Sequence, residues 1–323
     1  MVHVALVVGL VGLAGALVGL LIGLLTFGVQ ATAGPHQVPL AVGPADSPAA
    51  QAVAAQAGDR VAWRLVGSRA EAESLLELKQ VDGALLLSPA PGGMRATVLL
   101  SGALNPNATA VAQPVLVQVG GAVGRAAPVE VVTLHPTSAA GRVVPLAASA
   151  LLWLATLIPS TLALTAAPRL RGGRPLGRLA LIAIAFCAAL LASGVVLGLA
   201  RLWDGGLSIS WEFAGLLGLV GTAFALLQAG VLRWLGLAGM AVLGPLYLMA
   251  PAVAGQAPEL LDPVYKTLLW SWTPFRFSTE GLRSLLFLDA GSPDVQNALL
   301  VFAGIGLVGL LLVAAPRPGL RGR

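Results

Sequence analysis

Three charged side chains near the C-terminal end have a spacing that could serve chemistry. Arg276, Glu280 and Arg283 follow one another at i, i+4 and i+7, which puts them on one face of a helix and predicts an ion-paired stripe. Aromatic residues crowd the same stretch, so 264–288 is predicted to be an amphipathic segment that lies in, or dips into, the external face of the membrane. A plain interfacial cap and an external gate facing the substrate both fit this pattern. The gate candidates are Trp270, Trp272, Phe275, Arg276, Glu280 and Arg283.

A second group of charged residues lies in the linker 168–178. Short Arg-rich stretches beside apolar segments mark the cytoplasmic side of a membrane protein, and the tail after Ala315 is also rich in arginine. The linker is therefore predicted to be cytoplasmic, where it would be exposed to a partner subunit. A role in setting the topology alone is the simpler alternative. The candidate coupling residues are Arg169, Arg171, Arg174 and Arg178.

Residues for catalysis do not assemble elsewhere in the sequence. An intramembrane hydrolase needs a nucleophile with a base, or a zinc site, at membrane depth, and the sequence supplies neither. The three histidines are scattered, and Cys187 is the only cysteine. A phosphate loop of the type GxxxxGK(S/T) does not occur. We therefore expect a protein that is not an enzyme, holds no cofactor or metal, and depends on a partner for any ATP hydrolysis.

The composition indicates that lipid surrounds much of the chain. Hydrophobic residues make up 57% of the 323 residues and charged residues 10%, which is too little charged surface for a water-soluble globule. The net charge of +5 comes mostly from arginines beside apolar segments, so nucleic-acid binding is not expected. Each predicted crossing is near the roughly 20 residues that span a bilayer. The predicted crossings are 3–27, 146–167, 179–201, 212–232, 235–254 and 298–315.

The fold class that follows is an α-helical polytopic membrane protein with six transmembrane helices and an extracytoplasmic α/β domain inserted between the first two. Residues 1–27 form the first helix, 28–145 the external domain, and 146–323 the other five helices. Both termini are predicted to be cytoplasmic. Short apolar runs alternate with Ala-rich amphipathic segments over 38–134, which predicts the element order βαβαββαβ.

One helix of the external region has a recognisable start. Ser68 is a candidate N-cap, and Glu71 follows three residues later, so the pair predicts a capping box. The acidic residues Glu71, Glu73 and Glu77 lie on exposed positions of this helix. We interpret them as a solvated face without a functional role.

Residues 1–27 have an alternative interpretation as a cleaved signal peptide, because 31–33 (ATA) resembles a small-residue cleavage site. Against this, the apolar run is about twice the length of a usual signal core, and no Lys or Arg precedes it. Gly15, Gly19 and Gly23 share one helix face, which allows another helix to approach closely. We therefore favour a retained helix that packs, with two copies forming a homodimer.

Several stretches resemble the ABC-2 type permeases and, within them, the YhgE/Pip-like membrane proteins. Residues 38–42 (VPLAV) look like the first external strand of that family. The stretches 68–72 (SRAEA) and 81–89 (VDGALLLSP) look like its helix, turn and strand. Residues 273–283 (TPFRFSTEGLR) are similar to the Pro-containing segment before its last crossing. The arrangement of crossings and external domain extends the resemblance over nearly the whole chain.

The resemblance implies a bacterial-type inner-membrane protein that dimerises. In the ABC-2 members, such a protein pairs with a separate nucleotide-binding subunit and exports lipids, glycans, drugs or peptides. The resemblance implies that such an ATPase subunit would dock on the 168–178 linker. The stretch before the first crossing has no room for the cytoplasmic amphipathic helix of many such permeases. For this reason a second hypothesis stays open: a non-transporting surface or secretion-accessory protein whose 28–145 domain binds a protein or a cell-wall partner.

Overall fold

Long apolar helices dominate the computed structural model, which describes residues 2–56, 58–124, 127–170 and 172–316. Within these residues, five helices are long and apolar enough to cross a membrane. They indicate a membrane protein, with helices joined to a small mixed β-sheet. The five candidate spans are Ala5–Thr32, Ala139–Leu170, Arg178–Trp203, Trp211–Ala254 and Pro293–Ala314.

The first apolar segment is one long helix with a local irregularity. Helix α1 (Val2–Ile22) continues through a π-helical stretch (Gly23–Gly28) into α2 (Val29–Thr32). All side chains of 5–22 that are described are exposed. Only the far end of the segment is held, because Leu25 and Val29 are buried in a small apolar cluster with the 249–253 stretch.

The sheet is built between the first apolar helix and the second, in the predicted order βαβαββαβ. The strands run in the spatial order β2-β1-β3-β4-β5, and only the β3/β4 hairpin is antiparallel. The pairing of this hairpin continues right up to the turn, where Ala90 pairs with Gly93. The elements are β1 (Val38–Gly43), α3 (Pro48–Ala54), β2 (Val61–Leu65), α4 (Arg69–Glu77), β3 (Gly83–Ala90), β4 (Gly93–Ser101), α5 (Pro106–Val123) and β5 (Glu130–Leu134).

Both faces of the sheet carry helices, as the alternation of side chains along a strand requires. In β1, Leu40 and Val42 point to the face that α3 and α5 cover. Ala41, between them, points to the opposite face, where it packs with Leu76 of α4. We call residues 34–135 the sheet unit.

The remaining helices form a bundle around one central helix. Helix α8 packs against α6, α7, α11 and α12. Its Phe224 meets the indole ring of Trp153 edge to face at 4.9 Å, and the rings of Phe275 and Phe302 lie 5.4 and 5.3 Å from it. All four rings are fully buried. The helices are α6 (Ala139–Leu170), α7 (Arg178–Trp203), α8 (Trp211–Leu235), α9 (Met240–Met249), α10 (Pro263–Tyr265), α11 (Pro274–Phe287) and α12 (Pro293–Ala314).

The 44-residue apolar run Trp211–Ala254 does not stay straight. A 3-10 turn (Gly236–Gly239) separates α8 from α9, and Gly236 has a φ of +62°, which favours glycine. A Cβ on Gly239 would lie 3.4 Å from the backbone oxygen of Val231. Eight residues of straight helix span about 12 Å, so the chain folds back at this turn. The sequence predicted this break at residues 233–234, between the crossings 212–232 and 235–254, which is a few residues earlier.

Helix α11 differs from the surface helix that is one of the two expected arrangements. Phe275, Ser278, Thr279 and Leu282 are all fully buried, because α11 packs against α6, α8 and α12. The hydroxyl groups of Ser278 and Ser149 share a hydrogen bond of 2.6 Å between α11 and α6. Helix α11 therefore lies inside the bundle and not on its surface.

Candidate functional site

The charged residues that come together in the fold begin with Lys79, directly after α4. Its backbone N–H bonds to the oxygen of Leu76, and that of Gln80 bonds to the oxygen of Leu75, at 3.1 and 2.8 Å. These two bonds form a Schellman motif, in which the position of Lys79 is usually glycine. Lys79 accordingly has a φ of +54°. A backbone conformation that is unfavourable for lysine thus aims this side chain away from its own helix.

The Lys79 ammonium reaches two acidic residues of the bundle. Its Nζ donates to Glu280 Oε2 at 3.0 Å and to Asp294 Oδ2 at 2.7 Å. The side chains of Lys79 and Glu280 are only 16% and 22% exposed. Arg283, 2% exposed, also pairs with Glu280. We call Lys79, Glu280, Arg283 and Asp294 the ionic clamp, since it joins the sheet unit to α11 and α12.

Glu280 is the centre of the ionic clamp. Burial would raise its pKa, but Arg283 and Lys79 outweigh burial and lower the pKa to about 2. Glu280 is therefore ionised throughout the physiological range. It acts as a fixed anion and not as a proton carrier.

Asp294 is held by neutral groups as well. The Ser284 hydroxyl donates to Asp294 Oδ2 at 3.4 Å, and the Ser292 hydroxyl donates to Ser284 Oγ at 3.2 Å. Asp294 also lies in the first turn of α12, where the helix dipole stabilises a negative charge. The clamp is thus fixed at the N-terminal end of α12.

A second polar seam joins the sheet unit to the loop after α9. The amide groups of Asn105 and Asn107 donate to the backbone oxygen of Gly255 at 3.3 and 3.1 Å. Asn107 also donates to Gln256 Oε1 at 3.1 Å. The backbone N–H of His36 donates to the oxygen of Glu259 at 2.8 Å. The sheet unit is therefore attached to the bundle at more than one place.

A cavity of about 220 Å³ lies between these attachments. Asp82, 8% exposed, faces it from the turn before β3. Burial, reinforced by Glu259 and Glu280, raises the pKa of Asp82 to about 7. Burial also raises the pKa of Glu259. The cavity lining includes the apolar residue Leu104 and the charged residues Lys79, Asp82, Glu259, Glu280 and Asp294.

The gate candidates from the sequence separate into four places. Phe275 belongs to the aromatic core, while Glu280 and Arg283 belong to the ionic clamp. Arg276 does not extend the ion-paired stripe as expected: its guanidinium carbon lies 4.1 Å from the ring centre of Trp270 and 4.0 Å from that of Phe277. Stacking on aromatic faces suits the flat guanidinium group. Trp272 is about half exposed.

The coupling candidates lie where α6 meets α7. Arg169, Arg174 and Arg178 are exposed, whereas Arg171 is outside the described residues, as are the arginines of the tail. A cavity of about 210 Å³ opens beside this linker, between the ends of α6 and α8. Its walls are mainly apolar, with Ala163, Leu164, Leu176, Leu181, Ala229 and Leu232 among them.

Lys79, Asp82, Glu259 and Asp294 are the functional candidates that sequence reasoning missed. One local signal was available, because a lysine stands directly after α4 where a helix end favours glycine. The partners carry no such signal, since Lys79 and Asp294 are 215 positions apart.

Comparisons with family models, with curated proteins and with solved structures give no match for this chain. Within the described residues, no group of three or more His, Cys, Asp or Glu side chains is arranged to hold a metal ion. The functional proposal below therefore depends on the sequence patterns and on the geometry of the junction.

Proposed function

We propose that this protein is a permease subunit of the ABC-2 type that exports an apolar or amphipathic substrate. One observation carries the proposal: α11 is packed inside the bundle and also holds the sheet unit through Glu280. A helix in this position transmits any rearrangement of α6, α8 or α12 to the sheet unit. Such a connection suits a transporter that opens on one side when it is driven from the other.

The proposed topology has six crossings, with both termini in the cytoplasm and residues 28–145 outside. The fold-back at Gly236–Gly239 supports it, because α8 and α9 then cross separately. Labelling tests it directly. In a Cys187→Ser background, Gly92→Cys should react with a membrane-impermeant maleimide on intact cells, and Arg174→Cys should react only after the cells are opened. Labelling of position 174 on intact cells would contradict the topology.

The proposed passage lies between two copies of the chain. The interior of one bundle is filled by the rings of Trp153, Phe224 and Phe275, which leaves the helix surfaces as the route for an apolar molecule. Helix α1 offers such a surface, since Leu6, Leu10 and the other described side chains of 5–22 are exposed. A homodimer through α1, with substrate leaving beneath 264–288, fits these surfaces.

A separate ATPase subunit is the proposed source of energy. The exposed Arg169, Arg174 and Arg178 would dock it, and the neighbouring apolar cavity would admit substrate. Copurification with an ATPase from the native membrane tests this step. We expect the triple change of these arginines to Glu to abolish the association, and the exposed sheet-unit change Arg95→Glu to preserve it. Association that survives the triple change would rule out docking at this linker.

A secretion-accessory role is the second candidate, and the edges of the sheet favour it. Strands β2 and β5 are the two outermost strands, and Leu65 and Val131 on them are exposed. An uncovered edge strand can pair with a strand of another protein. A photo-crosslinking residue at position 131 should then capture one partner, while the same residue at exposed position 59 should not. Equal capture at both positions would argue against this role.

A further inference from the structure

The cavity at the junction is lined by more carboxyl groups than the ionic clamp contains. Five carboxyl groups and one ammonium group line it within the described part of the chain. Lys79 and Arg283 neutralise Glu280 and Asp294, and Glu77 is on the exposed rim, 3.9 Å from the His135 imidazole. Of the five carboxyl groups, those of Asp82 and Glu259 are not neutralised by the ionic clamp. The carboxyl groups are those of Glu77, Asp82, Glu259, Glu280 and Asp294.

Asp82 is the member that points to a ligand. Its side chain is more than nine-tenths buried, and its Oδ2 has no hydrogen-bond partner among the described residues. A buried carboxylate without a partner costs free energy, and a proton, a cation or another hydrogen-bond donor in the cavity would relieve this cost. Its own backbone N–H is already used, since it donates to the oxygen of Pro39 at 2.8 Å. The main chain at Asp82 is therefore fixed at the cavity wall.

The surroundings of Asp82 define the cation. Apolar side chains, including Leu104 and Pro258, form much of the remaining wall. Calcium and magnesium take six or more oxygen ligands, and zinc usually takes four ligands that include His or Cys, whereas an ammonium group needs up to three acceptors. We infer that this cavity binds a small organic cation whose primary ammonium group donates to Asp82 and Glu259 and whose short alkyl part lies against the apolar wall. A cavity of about 220 Å³ fits a molecule of a few non-hydrogen atoms.

This inference does not depend on the transport proposal, because the site needs neither an ATPase nor a second copy. Its position gives the ligand a consequence. An ammonium bound between Asp82 of the sheet unit and Glu259 of the bundle-side loop adds a bridge parallel to the Lys79–Glu280 bridge. Binding should therefore tighten the attachment of the sheet unit.

Protonation of Asp82 competes with the cation. Glu259 and Glu280 raise the pKa of Asp82, in addition to burial. On Glu259, the effect of burial is opposed by its own backbone N–H and by Lys266. Lys79, Asp294 and Glu77 complete the set of charged groups that face the cavity. Affinity for the cation should fall by more than about tenfold between pH 8 and pH 5.5, because one proton replaces the ligand over this range.

The full-length protein in detergent tests the inference with n-butylammonium as the probe and n-butanol as the neutral molecule of equal size, in a phosphate buffer free of amines. Calorimetric titration near pH 8 should show saturable binding of the amine and none of the alcohol. Asp82→Asn should lower the affinity for the amine by at least about tenfold, as expected for loss of a charge-assisted hydrogen bond. Asp59→Asn, an exposed change on the same unit, should leave it unaltered.

A second variant separates loss of the site from loss of the fold. Glu259→Gln should also lower the affinity for the amine, while thermal unfolding of the protein stays cooperative. If Asp82→Asn is misfolded, Glu259→Gln decides the question alone. Amine binding that is unchanged in a folded Asp82→Asn or Glu259→Gln variant, or absent from the wild-type protein at pH 8, would overturn the inference.

Discussion

Lys79 and Glu280 are 201 positions apart in the sequence, yet the Lys79 ammonium lies 3.0 Å from a carboxylate oxygen of Glu280. The lysine belongs to the sheet unit and the glutamate to a helix inside the bundle. Because both side chains are mostly buried, removing either one would leave the other charge with only one of its two partners, Asp294 for Lys79 or Arg283 for Glu280, in a poorly solvated place. This pair therefore contributes to the junction together with the Asn105 and Asn107 contacts to the loop after α9.

Lys79→Met keeps the length of the side chain and removes its charge. We expect the free energy of unfolding to fall by roughly 2 to 3 kcal/mol, since two charge-assisted hydrogen bonds are lost and two carboxylates lose a counterion. Thermal unfolding in detergent, followed by circular dichroism, measures the change. Arg69→Met removes the exposed pair of Arg69 with Glu73 and should cost less than about 1 kcal/mol. Equal effects of the two changes would contradict a role for the ionic clamp.

The stability of the protein should depend on pH through Asp82. Its pKa rises from 3.8 to about 7 on folding, so between these values the folded state binds more protons than the unfolded state. Stability therefore decreases as pH rises through this window, by up to about 1.4 kcal/mol per pH unit from this group. Chemical unfolding from pH 5 to pH 8 should show the decrease in the wild-type protein and a weaker one in Asp82→Asn. An identical slope in both proteins would exclude Asp82 as its source.

Glu280 gives the opposite dependence at lower pH. Its pKa is lowered to about 2 on folding, so its contribution is complete above its ordinary value near 4.5 and is lost as pH falls towards 2. Glu280→Gln should remove this acid-sensitive part of the stability curve. Unfolding measured from pH 5 to pH 2.5 tests it, with Glu71→Gln at an exposed position of α4 as the control.

Gly309 sets the distance between α8 and α12. A Cβ at this position would lie 2.5 Å from the backbone nitrogen of Leu227, so Gly309→Ala should push the two helices apart. We expect a loss of at least about 2 kcal/mol, as for an overpacked core. Gly304 is on the same helix with nothing within 4 Å of a Cβ, so Gly304→Ala should be neutral or slightly stabilising. Comparable melting temperatures for the two variants would contradict this packing.

Arg276 should not tolerate lysine, although lysine keeps the charge. Its guanidinium stacks on the rings of Trp270 and Phe277, and an ammonium lacks the flat surface for this contact. Arg276→Lys should lower the stability by roughly 0.5 to 1 kcal/mol. Arg95→Lys, at an exposed position, is the control. Full stability of Arg276→Lys would instead favour the ion-paired stripe that the sequence suggested.

The sheet was predictable because its signals are local. Alternation of apolar runs with Ala-rich segments gave the order of all eight elements. The N-cap at Ser68 is also present, where the hydroxyl accepts from the backbone N–H of Glu71 at 3.2 Å. The capping box was only partly right, since the Glu71 carboxylate accepts from the N–H of Gly67, one residue before the cap. A side chain of that length reaches either N–H, and the sequence does not distinguish them.

The junction was not predictable, since it consists of contacts between distant parts of the chain. The spacing of Arg276, Glu280 and Arg283 correctly placed charge on α11, but it could not show that Lys79 would arrive from the sheet unit. Burial of α11 was equally hidden, because Ser278, Thr279 and Ser284 look polar in the sequence and are buried through hydrogen bonds. Periodicity reports which residues share a face, and not what that face meets.

The first apolar segment, which runs from α1 into α2, is held near one end, where Leu25 and Val29 pack against the 249–253 stretch. The rest of its length meets no other part of the described chain closely enough to bury a side chain. Changing the tilt of this helix would therefore break no packed core. Within one copy of the chain, the thickness of a bilayer or the contact with a second copy can therefore set this angle and alter the shape of the protein at this point.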